Sequence, residues 1–127
     1  MGHGWVGVDL DGTLAEYHGW QGAGHIGDPI PEMMKKVKRW LVDGNEVKIF
    51  TARVSSKNPD REEAMEAIKK WSRIYIGREL DITAEKDYGM IELWDDRCIQ
   101  VVPNTGIPVQ GYGDDIIQKL REAGIEI

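Results

Sequence analysis

The sequence predicts an α/β fold, with a mainly parallel sheet flanked by helices, and three observations carry that expectation. Short apolar runs of strand length alternate with longer segments whose apolar residues recur at helical spacing. No repeat, low-complexity tract or linker divides the 127 residues, a length that suits one domain around one core. Chemically active polar residues also gather just after the predicted strands, and sheets of this kind bind ligands at the carboxyl ends of their strands.

The elements follow in order. Gly4–Asp9 (GWVGVD) reads as a short buried strand. Ala15–Pro31 is rich in glycine (Gly19, Gly22, Gly24, Gly27) and carries Tyr17 and Trp20, so a loop or flap is expected there. A helix starts near Pro31, because proline suits the first helical position. Its apolar stripe is Met33/Met34, Val37 and Trp40/Leu41, and Asp43-Gly44-Asn45 supplies the turn that ends it.

Val47–Phe50 (VKIF) is the second strand. Asn58-Pro59, followed by Asp60, Glu62 and Glu63, forms a helix start: a cap, a proline, and acids at the positive end of the dipole. The apolar face of that helix is Ala64, Ile68, Trp71 and Tyr75, and Trp40 and Trp71 are expected in the core. Further strands are expected near Asp81–Ala84, at Met90–Trp94 and at Cys98–Val102. A last helix near Asp114–Ala123 stops at Gly124, and Ile125–Ile127 returns as a short edge strand.

Composition narrows the function classes. Hydrophobic residues make up 41% and charged residues 30%, a soluble globular balance. No apolar stretch is long enough to span a bilayer, and Met1-Gly2-His3-Gly4 runs into a strand rather than a signal peptide. The single cysteine, Cys98, allows no intrachain disulfide and suits a reducing cytoplasm. His3, His18 and His25 lack the close spacing of a zinc site. A net charge of −6 with 16 basic residues gives no general attraction to nucleic acid.

Four segments place polar groups at strand ends: Asp9-Leu10-Asp11-Gly12-Thr13, Thr51-Ala52-Arg53, Lys86, and Asp95-Asp96-Arg97. Asp9 and Asp11 are two residues apart, so in extended backbone they share a face while Leu10 points away. A solvated turn is the plain reading of the first segment. A calcium loop fails on spacing, since its glycine place falls on Leu14 and its glutamate place on Trp20. Arg53 and Arg97 either bind substrate or pair with Asp96 or Glu92.

VDLDGTL resembles the first motif of the haloacid dehalogenase (HAD) superfamily, the Asp-x-Asp-Gly-Thr phosphatases. Thr51 after an apolar strand looks like the second motif of that family, Lys86 like the third and Asp95-Asp96 like the fourth, in the right order from about Val6 to Val102. IGDPIP, IFTARV and EKDYGMIELWDDR are similar to small uncharacterised members from bacterial and phage genomes. The resemblance implies a Rossmann-like (HAD-type) sheet. The Leu14–Pro31 gap and the Val54–Asn58 loop are both short, so it also implies a short flap and no cap domain.

The resemblance implies a magnesium-dependent phosphomonoester hydrolase. Asp9 would be the nucleophile that forms an aspartyl-phosphate, and Asp11 the general acid and base. Magnesium would be held by the Asp9 side chain, the Asp11 backbone carbonyl and Asp95 directly, with Asp96 acting through water. The cation and Lys86 would offset the carboxylate charge. Thr51 and the backbone amides of the Asp9–Gly12 turn, Leu10 and Gly12 among them, would hold phosphate oxygens, with Ala52 and Arg53 beside them. Tyr17 and Trp20, by their place in the glycine-rich segment rather than by the resemblance, either contact substrate from the flap or plug it by packing.

The expected partner is a small phosphorylated substrate or nucleotide. TARV and WDDR also resemble the phosphatase domain of polynucleotide kinase, which makes a nucleotide or polynucleotide 3′-end the alternative substrate. A capless site is closed by a large substrate or by a neighbouring subunit, which is the ground for a homodimer. A receiver domain is set aside on order, because its phosphoacceptor lies mid-chain and its lysine comes last. A catalytically silent phosphate-binding protein of the same fold is the remaining class.

Overall fold

The structure is a computed structural model that describes residues 4–110 and 122–124. The chain divides into two compact units, Met1–Asp96 and Arg97–Ile127. The first unit holds β1 (Trp5–Asp9), α1 (Pro31–Val42), β2 (Glu46–Phe50), a 3-10 turn (Ala52–Val54), α2 (Arg61–Tyr75), β3 (Asp81–Thr83) and β4 (Met90–Trp94). The strands form one sheet in the order β3-β2-β1-β4, with every described pairing parallel. This is the α/β architecture the sequence predicts, compatible with a Rossmann-like fold.

The order of the strands follows from the connections. A parallel neighbour needs a long crossover, and α1 and α2 supply one between β1 and β2 and another between β2 and β3. The chain then passes to the other side of β1, through a loop over residues 84–89, to form β4. That loop is pinned from below: Trp5 Nε1 donates to Asp87 Oδ1 at 2.9 Å and the Gly89 amide to the same oxygen at 2.8 Å. These two donors hold the Asp87 carboxyl below the ordinary carboxylate range.

Alternation along the strands sends Val6 and Val8 of β1, and Val47 and Ile49 of β2, to one face. There they meet Met33, Met34 and Val37 of α1 and Ile68 and Trp71 of α2 in a single buried cluster, which Leu10 and Leu14 complete. Each fully buried aliphatic side chain of this kind contributes about 1.5–3 kcal/mol.

Pro31 occupies the first turn of α1 as expected, and Asp43 ends it by donating its amide to the Arg39 carbonyl. Gly44 follows at φ 89, where glycine carries no Cβ penalty. Asn58, expected as the cap, lies two residues before the cap position, which Asp60 occupies: its Oδ1 accepts the Asp60 amide and its Nδ2 donates to the Arg53 carbonyl.

Three expectations meet the structure differently. Tyr75 is 38% exposed and rests against the Trp71 ring, while Ser72 takes the buried place on α2. Ser72 donates its hydroxyl to the Arg78 carbonyl and accepts the Leu80 amide, so it satisfies the chain leaving the helix while buried, which a tyrosine ring at that turn does not do. Trp71 is core as expected, whereas Trp40 is only partly buried and packs against Trp94 with ring centroids 5.2 Å apart.

Cys98–Val102 is not a strand. In the second unit this segment spends its hydrogen bonds locally: Val102 donates to Ile107, Val109 donates to Gln100, and Val101 bridges Pro108 around a turn. The helix expected near Asp114–Ala123 and the edge strand at Ile125–Ile127 lie outside the described residues except for 122 and 123.

Candidate active site

The strand order sets where a ligand meets the sheet. The chain runs from β1 to β2 and β3 on one side and then to β4 on the other, so the connections diverge between β1 and β4. At the carboxyl end of strands diverging this way, a crevice opens. Val8 of β1 is in register with Trp94 of β4, which puts Asp9 and Asp95 side by side at that crevice. The carboxylates of Asp9, Asp95 and Asp96 each offer an oxygen within 4.8 Å of the others.

A tight turn arranges this cluster. The Leu10 carbonyl accepts the amides of Thr13, Leu14 and Ala15, and the Gly12 amide donates to the Ala15 carbonyl at 2.8 Å. Gly12 has φ 88, and a Cβ built there would overlap the Asp96 carboxylate. The positive φ is what requires glycine here, and the missing Cβ also lets the Asp96 carboxylate lie close.

Thr13, to which sequence reasoning assigns no role, is the hub of the cluster. Its hydroxyl accepts the Asp96 amide at 3.1 Å and lies 3.4 Å from Asp9 Oδ2 and 3.5 Å from Asp96 Oδ1. The available signal was a hydroxyl residue in the same turn as both acids.

Burial and crowded carboxylates set the electrostatics of Asp9. Asp9 is half-buried, and its carboxyl is pushed up from 3.8 to about 7. Burial is the largest cause; the Asp95 charge follows, and then a hydrogen bond to Asp96 and the charges of Asp96 and Asp11. Lys86 lies exposed in the loop between β3 and β4. An all-oxygen donor set whose carboxylates crowd one another fits a hard cation.

Asp11 stands apart from this cluster. Arg53, from the turn after β2, donates Nε to Asp11 Oδ2 at 2.7 Å and Nη2 to Oδ1 at 2.8 Å, a two-pronged pair. Its Nη1 reaches back into the 16–30 loop, to the carbonyls of His25 at 2.8 Å and Ala23 at 3.5 Å. The guanidinium also lies 4.9 Å from the centre of the Trp20 ring. Arg53 thus pairs with Asp11 rather than with Asp96 or Glu92, the two partners weighed from sequence.

The 16–30 loop, the segment read as a flap, has no strand or helix of its own, only bridges at its base. It is tied down by Ile30 to Leu14, by Glu16 to Asp28, and by Trp71 Nε1 donating to the Gly27 carbonyl at 3.0 Å. Tyr17 and Trp20 are 44% and 56% exposed on it.

Thr51 sits one residue beyond Phe50, the β2 residue in register with Asp9, and is buried at 2% exposure. Its hydroxyl oxygen accepts the Arg53 amide at 3.2 Å, which leaves the hydroxyl proton available as a donor. Ala52 is exposed beside it. The Leu10 side chain is fully buried, so it offers no side-chain contact to a ligand. The Gly12 amide, expected to face a phosphate, is instead donated to Ala15. Arg97 is exposed at the start of the second unit. A cavity of about 330 Å³ opens beside Asp95 and Asp96, walled by Trp94, Met33, Ile30 and Lys36.

No protein-family model and no curated protein matches this chain. The chain is similar to a solved structure described as a conserved protein coded by locus from Bacteroides thetaiotaomicron, at 21% identity over 98% of this chain and 93% of that one, with a TM-score of 0.49. A likeness at that level leaves function to be argued from the residues.

Proposed function

We propose that this chain is a magnesium-dependent phosphomonoester hydrolase that works through an aspartyl-phosphate on Asp9. The observation that carries the reading is the split between its acids. Asp9 lies with Asp95 and Asp96 at the divergence of β1 and β4, while Asp11, two residues on, is drawn away to Arg53. Two carboxyl groups in one turn with separate surroundings suit separate roles, one as nucleophile and one as proton carrier. The HAD resemblance of VDLDGTL and of the three later motifs supports the same assignment.

In this reading an Asp9 oxygen attacks phosphorus as the bond to the leaving oxygen breaks, and the Asp11 carboxyl gives that oxygen its proton. The Asp11 carboxylate then takes a proton from water as the water attacks the phosphorylated Asp9. Phosphate leaves, and both carboxyl groups return to their starting forms. Thr51 donates its hydroxyl proton to a phosphoryl oxygen, and Thr13 holds Asp96 and Asp9 in their relative places. Asp9 and Asp95, with the Asp11 carbonyl and Asp96 nearby, would hold magnesium, which neutralises the charge spread over the phosphoryl oxygens.

The test is phosphate release from a panel of sugar phosphates, nucleotides and 3′-phosphorylated oligonucleotides, with magnesium or with EDTA. Wild type and Asp9→Asn are run side by side. Magnesium-dependent release that disappears in Asp9→Asn is expected. Unchanged release in the variant would remove Asp9 as nucleophile. No release from any ester, despite measured magnesium binding, would favour a silent phosphate-binding protein. A clear preference for the oligonucleotides would place the substrate at polynucleotide ends.

A further inference from the structure

Arg53 is a charged residue with its side chain only 6% exposed, and its fork is largely committed. Two donors face the two oxygens of Asp11, 42 residues away in sequence, and Nη1 faces the carbonyls of Ala23 and His25. The Trp20 ring covers the guanidinium from the flap side. The backbone of Arg53 is held as well, by Thr51 Oγ1 at its amide and Asn58 Nδ2 at its carbonyl. The hydrogen bonds of the side chain therefore go either to Asp11 or to the flap, from a backbone that is itself held at both its amide and its carbonyl.

We infer that Arg53 is a positioning residue that makes Asp11 and the flap a single unit, holding the Asp11 carboxyl at the angle from which it serves the leaving oxygen. This rests on the phosphatase reading above. A planar fork fixes a carboxylate in orientation as well as distance, which an ammonium group does not. Without it, Asp11 is a short side chain next to the like charge of Asp9 and turns freely toward solvent. The flap loses its anchor at the same moment, because the same guanidinium holds the Ala23 and His25 carbonyls.

The consequence for turnover is selective. The proton passes from Asp11 to the ester oxygen as that oxygen leaves phosphorus, and an alkoxide needs it far more than a nitrophenolate, which departs as a stable anion. General acid catalysis of this kind contributes about 10²–10⁴-fold. Loss of the Arg53 fork is therefore felt on alkyl phosphates and much less on 4-nitrophenyl phosphate.

The experiment uses the full chain with magnesium and compares wild type, Arg53→Lys and Asp11→Asn. One arm reads kcat and KM for an alkyl phosphate and for 4-nitrophenyl phosphate. Arg53→Lys is expected to lower kcat on the alkyl ester at least about tenfold more than on the aryl ester. The second arm reads amide hydrogen exchange over residues 17–25. Both variants are expected to speed exchange there, while unchanged exchange across α2 certifies the fold.

Equal losses on the two esters, a gain on the alkyl ester, or unaltered flap exchange in both variants would overturn the positioning role. A wild type that releases phosphate from neither ester would overturn the phosphatase reading and the catalytic consequence with it. The exchange arm separates the two failures, because it reads the tie between Asp11, Arg53 and the flap without turnover.

Discussion

Removing the Asp9 charge should stabilise the metal-free protein above neutral pH, and Asp9→Asn is the substitution that does so. In the folded chain the Asp9 carboxyl keeps its proton up to about 7, against an ordinary value of 3.8. Between those two values the folded state binds more protons than the unfolded state. Stability therefore falls as pH rises through that window, and this group causes no further fall above about 7.

At about 1.36 kcal/mol for each pH unit the full window has a ceiling of about 4 kcal/mol. Solvent reaches the half-buried carboxyl and screens it, which reduces the effect to about 1–2 kcal/mol between pH 5 and 8. Asparagine keeps the shape and an oxygen for the Thr13 hydroxyl but has no charge to lose.

The assay is urea unfolding in EDTA at pH 5 and pH 8, on wild type and Asp9→Asn. Other groups titrate over the same range, so the quantity to read is the difference between the two proteins' changes. Wild type should lose about 1–2 kcal/mol more than the variant on going to pH 8. Parallel changes in the two proteins, or a variant less stable than wild type at pH 8, would refute the account of Asp9 as a carboxyl crowded by Asp95 and Asp96.

Other outcomes follow from the same geometry. Magnesium at 100 times its dissociation constant should stabilise wild type by about 2.7 kcal/mol, and Asp95→Asn should remove most of that gain; thermal unfolding with and without the ion reads it. Gly12→Ala should destabilise by about 1–3 kcal/mol, because alanine is strained at φ 88 and its methyl group displaces the Asp96 carboxylate. Magnesium binding by calorimetry should weaken in the same variant. Ser72→Ala should cost about 1–3 kcal/mol in urea unfolding, since it strands the Arg78 carbonyl and the Leu80 amide, while leaving phosphate release unchanged.

Much of the fold is legible along the chain. Local chemistry marks where α1 starts and ends, with Pro31 in its first turn and Gly44 just past its close, and the apolar spacing of Met33/Met34 and Val37 names the buried face. The alternation of strand and helix likewise predicts the parallel pairing of β1, β2 and β3, because helix-length crossovers leave parallel neighbours as the short solution. Asp9, Asp95 and Asp96 are legible as a set because each ends a strand of one sheet or lies within two residues of its end, and strand ends of one sheet share an edge.

Burial and partnership across the fold are decided elsewhere. Tyr75 and Ser72 both lie on α2, and only the return of the chain through Arg78 and Leu80 makes the serine the buried one. Cys98–Val102 has a strand's composition, yet a strand is defined by its pairing, and this segment pairs with its own turn. Arg53 was open among several acids, since a long cation near many carboxylates is not assigned by sequence distance. Tertiary structure closes that choice by bringing the turn after β2 against Asp11 and the flap.

The sequence by itself determined which chemical groups stand at the strand ends, because a motif is contiguous and its backbone is local. Only the tertiary structure decided how those groups divide: Asp9 among like charges, Asp11 held by Arg53, and Thr13 between Asp9 and Asp96. The physical reason is that hydrogen bonds and charge pairs act over a few ångströms of space. Chain crossovers, rather than sequence separation, determine which residues come that close.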